Sequence, residues 1–223
     1  MAERKKKEQQ KEEKHKTMKA QSKQNRTRVL AESAVMVALA AVLSMFPIYQ
    51  APLGGTVTLF SMAPILLLSL RHGTRVGILG AFAYSITQLL LGLGTIAYVP
   101  TFAGIAVCAF LDYILAFTCI GTAGFFRFES GMDRKKKLIS TAVGTLTVCV
   151  LRFLCHLLSG AVVWYEITKA GDWNEYVHQV GMWLYSLVYN LQYMVPETVL
   201  LLVAVPAMVT VLDLVPKMKK RGA

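Results

Sequence analysis

Four side chains suited to ligand binding recur at a spacing of four residues in one apolar stretch of the sequence. They are Arg152, His156, Gly160 and Trp164. A spacing of four places successive side chains on one face of an α-helix. An ionisable residue within a membrane-spanning helix costs several kcal/mol, so it is normally kept for a function. This face is therefore predicted to form one wall of a binding cavity, where Gly160 leaves room for a ligand.

Two more polar side chains are predicted to lie at the same depth as His156. We count residues inward from the end of each apolar stretch, at a rise of about 1.5 Å per residue. Asp112, His156 and Asn190 then all lie roughly 15 Å below the outer membrane surface. Each side chain alone could be a core residue or a helix–helix contact. Their common depth instead favours a polar cavity shared by three helices.

The chemistry of this predicted cavity favours a flat, cationic heterocycle. The Asp112 carboxylate attracts a positive charge, and aromatic rings add cation–π contacts. Tyr113 follows Asp112 in the sequence, and Tyr185 is predicted nearer the outer mouth. Tyrosine and Asn190 supply directional hydrogen bonds that would orient a heterocycle. An anionic vitamin would instead require Lys or Arg at this depth.

Several other functional classes find little support in the sequence. The four cysteines lie in apolar stretches and form no C-x-x-C pair, so we expect neither a metal site nor a disulfide framework. Asp112 and His156 could form the acid–base pair of an intramembrane enzyme, but no nucleophile or metal set accompanies them. No basic groove with interleaved aromatic residues indicates a nucleic-acid partner. We therefore expect no catalytic residues and no cofactor.

Composition and charge distribution indicate a multi-pass protein of the cell membrane. Hydrophobic residues make up 55% of the 223-residue chain, above the roughly 45–50% that is usual in soluble domains. All of the 24 Lys and Arg residues except Arg152 and Lys169 lie in segments that can share one side of the membrane. The positive-inside rule makes this side the cytoplasm and places both termini there.

Six apolar stretches predict an all-α integral membrane protein with six transmembrane helices in a lipid bilayer. They are residues 29–47, 59–70, 76–93, 101–126, 138–165 and 178–215. The second stretch is short and contains Pro64. Residues 1–28 are predicted to be a basic cytoplasmic tail that is disordered or lies on the membrane surface. Residues 29–216 form the membrane domain, and residues 217–223 form a basic cytoplasmic C-terminus.

Two further pairs of residues carry structural predictions. Ala34 and Ala38 lie on one small-residue face of the first helix, which suits close helix packing, either within the chain or against a separate membrane subunit. Arg152 and Glu197 lie deeper than the cavity, where pairing would reduce the cost of burying each charge. We predict a structural ion pair between them, helped by a kink at Pro196.

Four sequence segments together resemble the thiamine-specific S components of energy-coupling factor (ECF) transporters. They are APILLLSLRHG at 63–73, FLDY at 110–113 followed by GTAGFFR, RFLCHLLSGAVVW at 152–164, and YSLVYN at 185–190. The resemblance covers residues 30–210. It implies a six-helix membrane bundle that captures thiamine from outside and performs no chemistry. It also implies a transmembrane coupling subunit and two ATP-binding subunits as partners.

The resemblance assigns roles to individual residues. It places substrate-binding positions on Asp112, Tyr113, His156, Gly160, Trp164, Tyr185 and Asn190, with Tyr98 as an additional position. It makes Ala34 and Ala38 the docking face for the coupling subunit. The type member of the family has Glu where this chain has Asp112, and a tryptophan in the first outer loop where this chain has Gly54 and Gly55. Tyr49 would have to replace that ring, and Glu197 has no counterpart in the type member.

Two alternatives to thiamine capture remain open. The ligand could be another cationic or heterocyclic compound, such as the aminopyrimidine half of thiamine. The chain could also be an autonomous, proton-coupled secondary carrier that uses Asp112 or Glu197 as its proton site. Such carriers often contain paired interrupted helices in two halves, and no such internal repeat is visible in this sequence.

Overall fold

The computed structural model describes residues 2–129, 131–172 and 174–215, with side chains described from residue 21 onward except at residue 22. The predicted basic C-terminus, residues 217–223, lies outside the described residues. The helices are α1 (Ala2–Ser44), α2 (Ala63–His72), α3 (Thr74–Leu91), α4 (Leu93–Ile96), α5 (Phe102–Cys108), α6 (Ala116–Thr118), α7 (Arg134–Ser159), α8 (Tyr165–Ala170), α9 (Tyr176–Gln179) and α10 (Met182–Leu214). Two short antiparallel strands, β1 (Pro47–Gln50) and β2 (Thr56–Thr58), form a hairpin between α1 and α2.

Five helical segments in the described chain are long and apolar enough to cross a membrane. They are Lys23–Ser44, Thr74–Leu91, Phe102–Phe126, Arg134–Ala170 and Met182–Leu214. The short second apolar stretch becomes α2, whose 10 residues begin next to Pro64 and extend only about 15 Å. Its Leu66, Leu68 and Leu70 are buried. α2 is therefore an interior helix, too short to cross a bilayer alone.

α1 extends much further towards the N-terminus than the apolar pattern predicts. The pattern begins the first helix at residue 29, whereas α1 begins at Ala2 and runs through the whole basic segment. Lys, Glu and Gln are good helix formers, so their density in this segment favours helix. The first candidate membrane-spanning segment and the basic segment thus form one continuous helix.

Two helical segments change their winding next to the residues predicted to bind ligand. After α5 the backbone widens into a π-helical turn at Ala109–Leu115, which contains Asp112. α7 ends in a second π-helical turn at Gly160–Trp164. Such turns insert an extra residue into a helix and redirect its side chains, and they occur frequently at functional sites.

The main core fills the end of the bundle that carries the basic loops. Tyr84, Ile65, Leu66, Val148 and Leu201 are among its buried side chains, contributed by α2, α3, α7 and α10. A smaller cluster under the hairpin contains Ala51, Val57, Tyr193 and Met194. The space between these two clusters is left for the cavity.

Candidate functional site

A cavity of about 410 Å³ lies under the β1–β2 hairpin. It is enclosed by the end of α3, the first π-helical turn, α7 with its own π-helical turn, and α10. Seven of the eight predicted substrate-binding residues line it: Asp112, Tyr113, His156, Gly160, Trp164, Tyr185 and Asn190. The two π-helical turns contain Asp112 and Trp164, which are hydrogen-bonded to each other in the cavity wall.

Asp112 is the centre of the polar network in the cavity wall. Its carboxylate accepts hydrogen bonds from His156 Nδ1 at 2.9 Å, Ser159 Oγ at 2.5 Å and Trp164 Nε1 at 2.9 Å. The Cys108 thiol, one helical turn earlier, lies 3.4 Å from the same carboxylate. Bonds to an ionised acceptor are stronger than neutral ones. Asp112 therefore fixes the positions of three side chains from the facing helix.

His156 has one ring nitrogen committed to the protein and one that is not. Because an ionised carboxylate can only accept, Nδ1 carries a proton and donates it to Asp112. Nε2 is buried and has no hydrogen-bond partner within the described part of the chain. A buried polar atom without a partner calls for an explanation. In the neutral ring, Nε2 offers an acceptor to a ligand donor.

Asn190 and Gly160 join α10 to α7 at the cavity. Asn190 Nδ2 donates to the Ser186 carbonyl at 2.8 Å and to the His156 carbonyl at 3.3 Å, and Asn190 Oδ1 accepts from the Tyr193 hydroxyl. A Cβ at position 160 would overlap Ser186 Oγ and press on Asn190. The expectation that Gly160 is small to admit a ligand is thus corrected: the close neighbour is α10.

Tyr185 belongs to a ladder of tyrosines that the sequence analysis missed. Tyr189 and Tyr193 also line the cavity. The Tyr185 and Tyr189 rings stack with centroids 5.9 Å apart, and the Tyr189 and Tyr193 rings meet edge to face at 6.1 Å. The spacing of four residues from 185 to 193 was the signal that could have found them, because it places all three on one helix face.

Two tyrosines proposed from the resemblance lie elsewhere. Tyr98 is 58% exposed and is not among the described residues that line the cavity. Its neighbours Ile96 and Val99 are the buried residues of this turn, so a role for Tyr98 in binding stays a prediction. Tyr49 is 44% exposed on β1 and is not among the described residues that line the cavity. Gly55 lies there directly against the Tyr193 ring.

The predicted ion pair between Arg152 and Glu197 does not form, although the structure describes both residues. Glu197 instead accepts two hydrogen bonds from Thr58, which satisfy its carboxylate. The Arg152 guanidinium lies over the Phe117 ring at 4.6 Å, contacts the Met62 thioether and lines the cavity. The two side chains are thus held by hydrogen bonds and a cation–π contact, and Arg152 acts on Glu197 only through longer-range electrostatic attraction.

Ala34 and Ala38 are exposed on α1, whose other face packs on α2 and α3. The small-residue face is therefore not buried within the described chain. No group of three or more His, Cys, Asp or Glu side chains that could hold a metal ion occurs among the described residues.

Comparison with known proteins gives consistent matches along most of the chain. Residues 30–216 match the thiamine transporter protein family (Thia_YuaJ). The thiamine transporter ThiT of Bacillus subtilis (strain 168) is 35% identical over 178 residues, covering 77% of this chain and 84% of that protein. ThiT of Lacticaseibacillus paracasei is 25% identical over 189 residues, covering 82% and 87%. The solved structure of ThiT from Listeria monocytogenes has a similar fold, with a TM-score of 0.66 at 21% identity, covering 84% of this chain and 96% of that chain.

Proposed function

The chain belongs to the thiamine transporter protein family, and we propose that it is the thiamine-binding subunit of an ATP-driven ECF uptake transporter. In this proposal it captures thiamine in the cavity under the hairpin and passes it to a transmembrane coupling subunit served by two ATPases. The observation that carries the proposal is the Asp112 carboxylate, whose side chain is only 12% exposed, in a cavity with aromatic walls. Thiamine combines a permanently cationic thiazolium ring with a flat aminopyrimidine, and both features suit this site.

The cavity matches thiamine in size as well as in chemistry. Its volume of about 410 Å³ falls in the range of small-molecule sites. The negative charge of Asp112 attracts the cation, and the rings of Trp164, Tyr185 and Tyr189 offer faces for stacking. His156 Nε2 provides an acceptor for an amino group. No covalent step is needed for this function, because binding and release suffice.

We propose a topology of six membrane segments, with α2 as the short second segment and both termini in the cytoplasm. Arg71 and Arg75 flank the turn between α2 and α3, and the loop before α7 is rich in Arg and Lys. Both loops lie at the end of the bundle opposite the hairpin. The positive-inside rule favours the cytoplasm for that end, so the hairpin and the cavity mouth would face outward.

Titration of the purified full-length chain with thiamine tests the binding proposal. We expect a 1:1 complex with a Kd below about 1 µM by calorimetry. The aminopyrimidine half alone should bind much more weakly, because it lacks the thiazolium charge. Absence of thiamine binding would contradict the proposal. Equal affinity for the aminopyrimidine half would contradict recognition of the thiazolium charge and would make the aminopyrimidine the recognised part of the ligand.

Substitution of Ala34 or Ala38 by tryptophan tests whether this face of α1 docks on a coupling subunit. An indole on the exposed small-residue face should block close helix packing with a coupling subunit. We expect Ala34→Trp and Ala38→Trp to reduce ATP-driven thiamine uptake at least about tenfold in cells supplying the other subunits, while binding by the purified protein is unchanged. Ala106→Trp, at an exposed alanine of α5, is the matched control. Uptake in vesicles without any ATPase would instead identify an autonomous carrier.

A further inference from the structure

One stripe of α10 fastens the hairpin at three points. Tyr189, Tyr193 and Glu197 follow at a spacing of four, so they lie on one helix face. The Leu53 N–H donates to the Tyr189 hydroxyl at 3.0 Å. Gly55 lies against the Tyr193 ring so closely that a Cβ would overlap it. The third point, at Glu197, is the one with a formal charge.

The contact at Glu197 is made with the last residue of β2. Thr58 donates its backbone N–H to Oε2 at 2.7 Å and its hydroxyl to Oε1 at 2.9 Å. Ser61 Oγ lies 2.6 Å from the same Thr58 hydroxyl. Glu197 is 4% exposed, and both its oxygens are used. Two charge-assisted hydrogen bonds from one residue in a buried setting make a strong and directional attachment.

A buried carboxylate in the membrane is costly, so its retention suggests a function. Pairing with Arg152 does not explain it, because the two described side chains form no ion pair. Glu197 is also absent from the described residues that line the cavity, so direct contact with a ligand does not explain it either. The remaining explanation for a carboxylate at this position is its pair of hydrogen bonds to Thr58 of the hairpin.

We propose that Glu197 is a latch that keeps the β1–β2 hairpin closed over the cavity and thereby sets how slowly the ligand leaves. Lifting the hairpin from α10 breaks both Thr58 bonds and exposes a carboxylate and an N–H that have no other partner in the closed state. Glu197 is a positioning residue, since it acts on the ligand only through the hairpin. The identity of the ligand rests on the proposed function, whereas the latch rests on the hairpin contacts alone.

Two tyrosine rings of α10 contact both the hairpin and the cavity. Tyr189 and Tyr193 line the cavity and also touch the hairpin. Glu197 lies one turn beyond Tyr193 on the same face. A ligand that stacks on these rings therefore stabilises the surface on which the hairpin rests, and the latch prolongs its stay.

Glu197→Gln and Thr58→Val test the latch through two readouts on the purified full-length protein. Glutamine keeps the volume but removes the charge, so its hydrogen bonds to Thr58 are no longer charge-assisted. Valine removes the Thr58 hydroxyl at nearly constant shape. We expect both variants to speed hydrogen exchange of the hairpin amides, residues 47–58, in the ligand-free protein. We also expect thiamine dissociation to accelerate roughly 10- to 100-fold, with the association rate constant within about threefold of wild type.

Thr198→Val is the matched control, because the Thr198 hydroxyl donates to the Met194 carbonyl of its own helix and interacts with the Cys149 thiol of α7, not with Thr58. It should change neither readout. Unchanged hairpin exchange in Thr58→Val would overturn the latch, even if Glu197→Gln fails to fold. A lower melting temperature with unchanged exchange and dissociation would also overturn it, by showing a purely structural role. Hairpin exchange needs no ligand, so failure of thiamine to bind the wild type would leave this test intact.

Discussion

Asp112→Asn will weaken thiamine binding roughly 100- to 1,000-fold, within the range measured for removing one partner of a buried, hydrogen-bonded charge pair. Two effects combine. The substitution removes the negative charge that attracts the thiazolium cation. It also changes the hydrogen bonding of His156. If the asparagine oxygen accepts from Trp164 Nε1, its NH₂ faces His156 Nδ1, which donates to the carboxylate in the native protein. Nδ1 can accept from that NH₂ only when the ring proton moves to Nε2, and Nε2 then no longer accepts from a ligand.

Asp172→Asn is the control for this prediction. Asp172 lies in the loop between α8 and α9, its side chain is 83% exposed, and its partner is His178. The same loss of charge at this distant, solvated site should change thiamine affinity by less than about threefold, because exposed pairs contribute little. Calorimetric titration of both variants separates the local role of Asp112 from a general effect of net charge. Equal thiamine affinities of the Asp112→Asn and Asp172→Asn proteins would contradict a local role for Asp112.

Gly160→Ala will weaken thiamine binding roughly 10- to 100-fold, the effect of overpacking a tight helix contact by about 1–3 kcal/mol. The new methyl group would overlap Ser186 Oγ and push α10 away from α7. That movement displaces Asn190, whose amide donates to the His156 carbonyl across the same contact. The geometry of the whole cavity wall therefore changes through one methyl group.

Ser186→Ala in the Gly160→Ala background will recover most of the lost affinity. Removing the hydroxyl takes away the atom nearest the new methyl group. The single variant Ser186→Ala supplies the baseline, since this hydroxyl also donates to the Leu157 carbonyl at 2.7 Å. A double-mutant cycle of titrations measures the coupling between the two positions. If the two losses simply add, Gly160 touches something other than Ser186.

The sequence located the cavity because polar residues are rare at this membrane depth. Asp112, His156 and Asn190 met as the count of helical rise predicted, and periodicity identified the wall that contains Trp164. The π-helical turns could not be foreseen, since a uniform rise of 1.5 Å per residue assumes regular winding. The depth count succeeded because one extra residue changes the expected height little, although it rotates the side chain considerably.

The errors arose where local sequence does not determine the partner. Arg152 and Glu197 have opposite charges, but Thr58 reaches Glu197 first from a hairpin that is distant in sequence. Such nonlocal contacts leave no mark in helical periodicity. The apolar stretch at residues 59–70 also differs from α2, whose 10 residues begin beside Pro64, include Arg71 and His72, and end at Gly73.

Thiamine capture in the Asp112 cavity is tested most directly by native mass spectrometry of the full-length protein purified from cells grown with thiamine. A ligand held by the Asp112 charge under a latched hairpin should remain bound through purification. We expect the wild-type protein to carry one thiamine, while Asp112→Asn carries none and Asp172→Asn carries one. A wild-type protein that carries no thiamine in medium containing it, or an Asp112→Asn protein that retains it fully, would contradict the account.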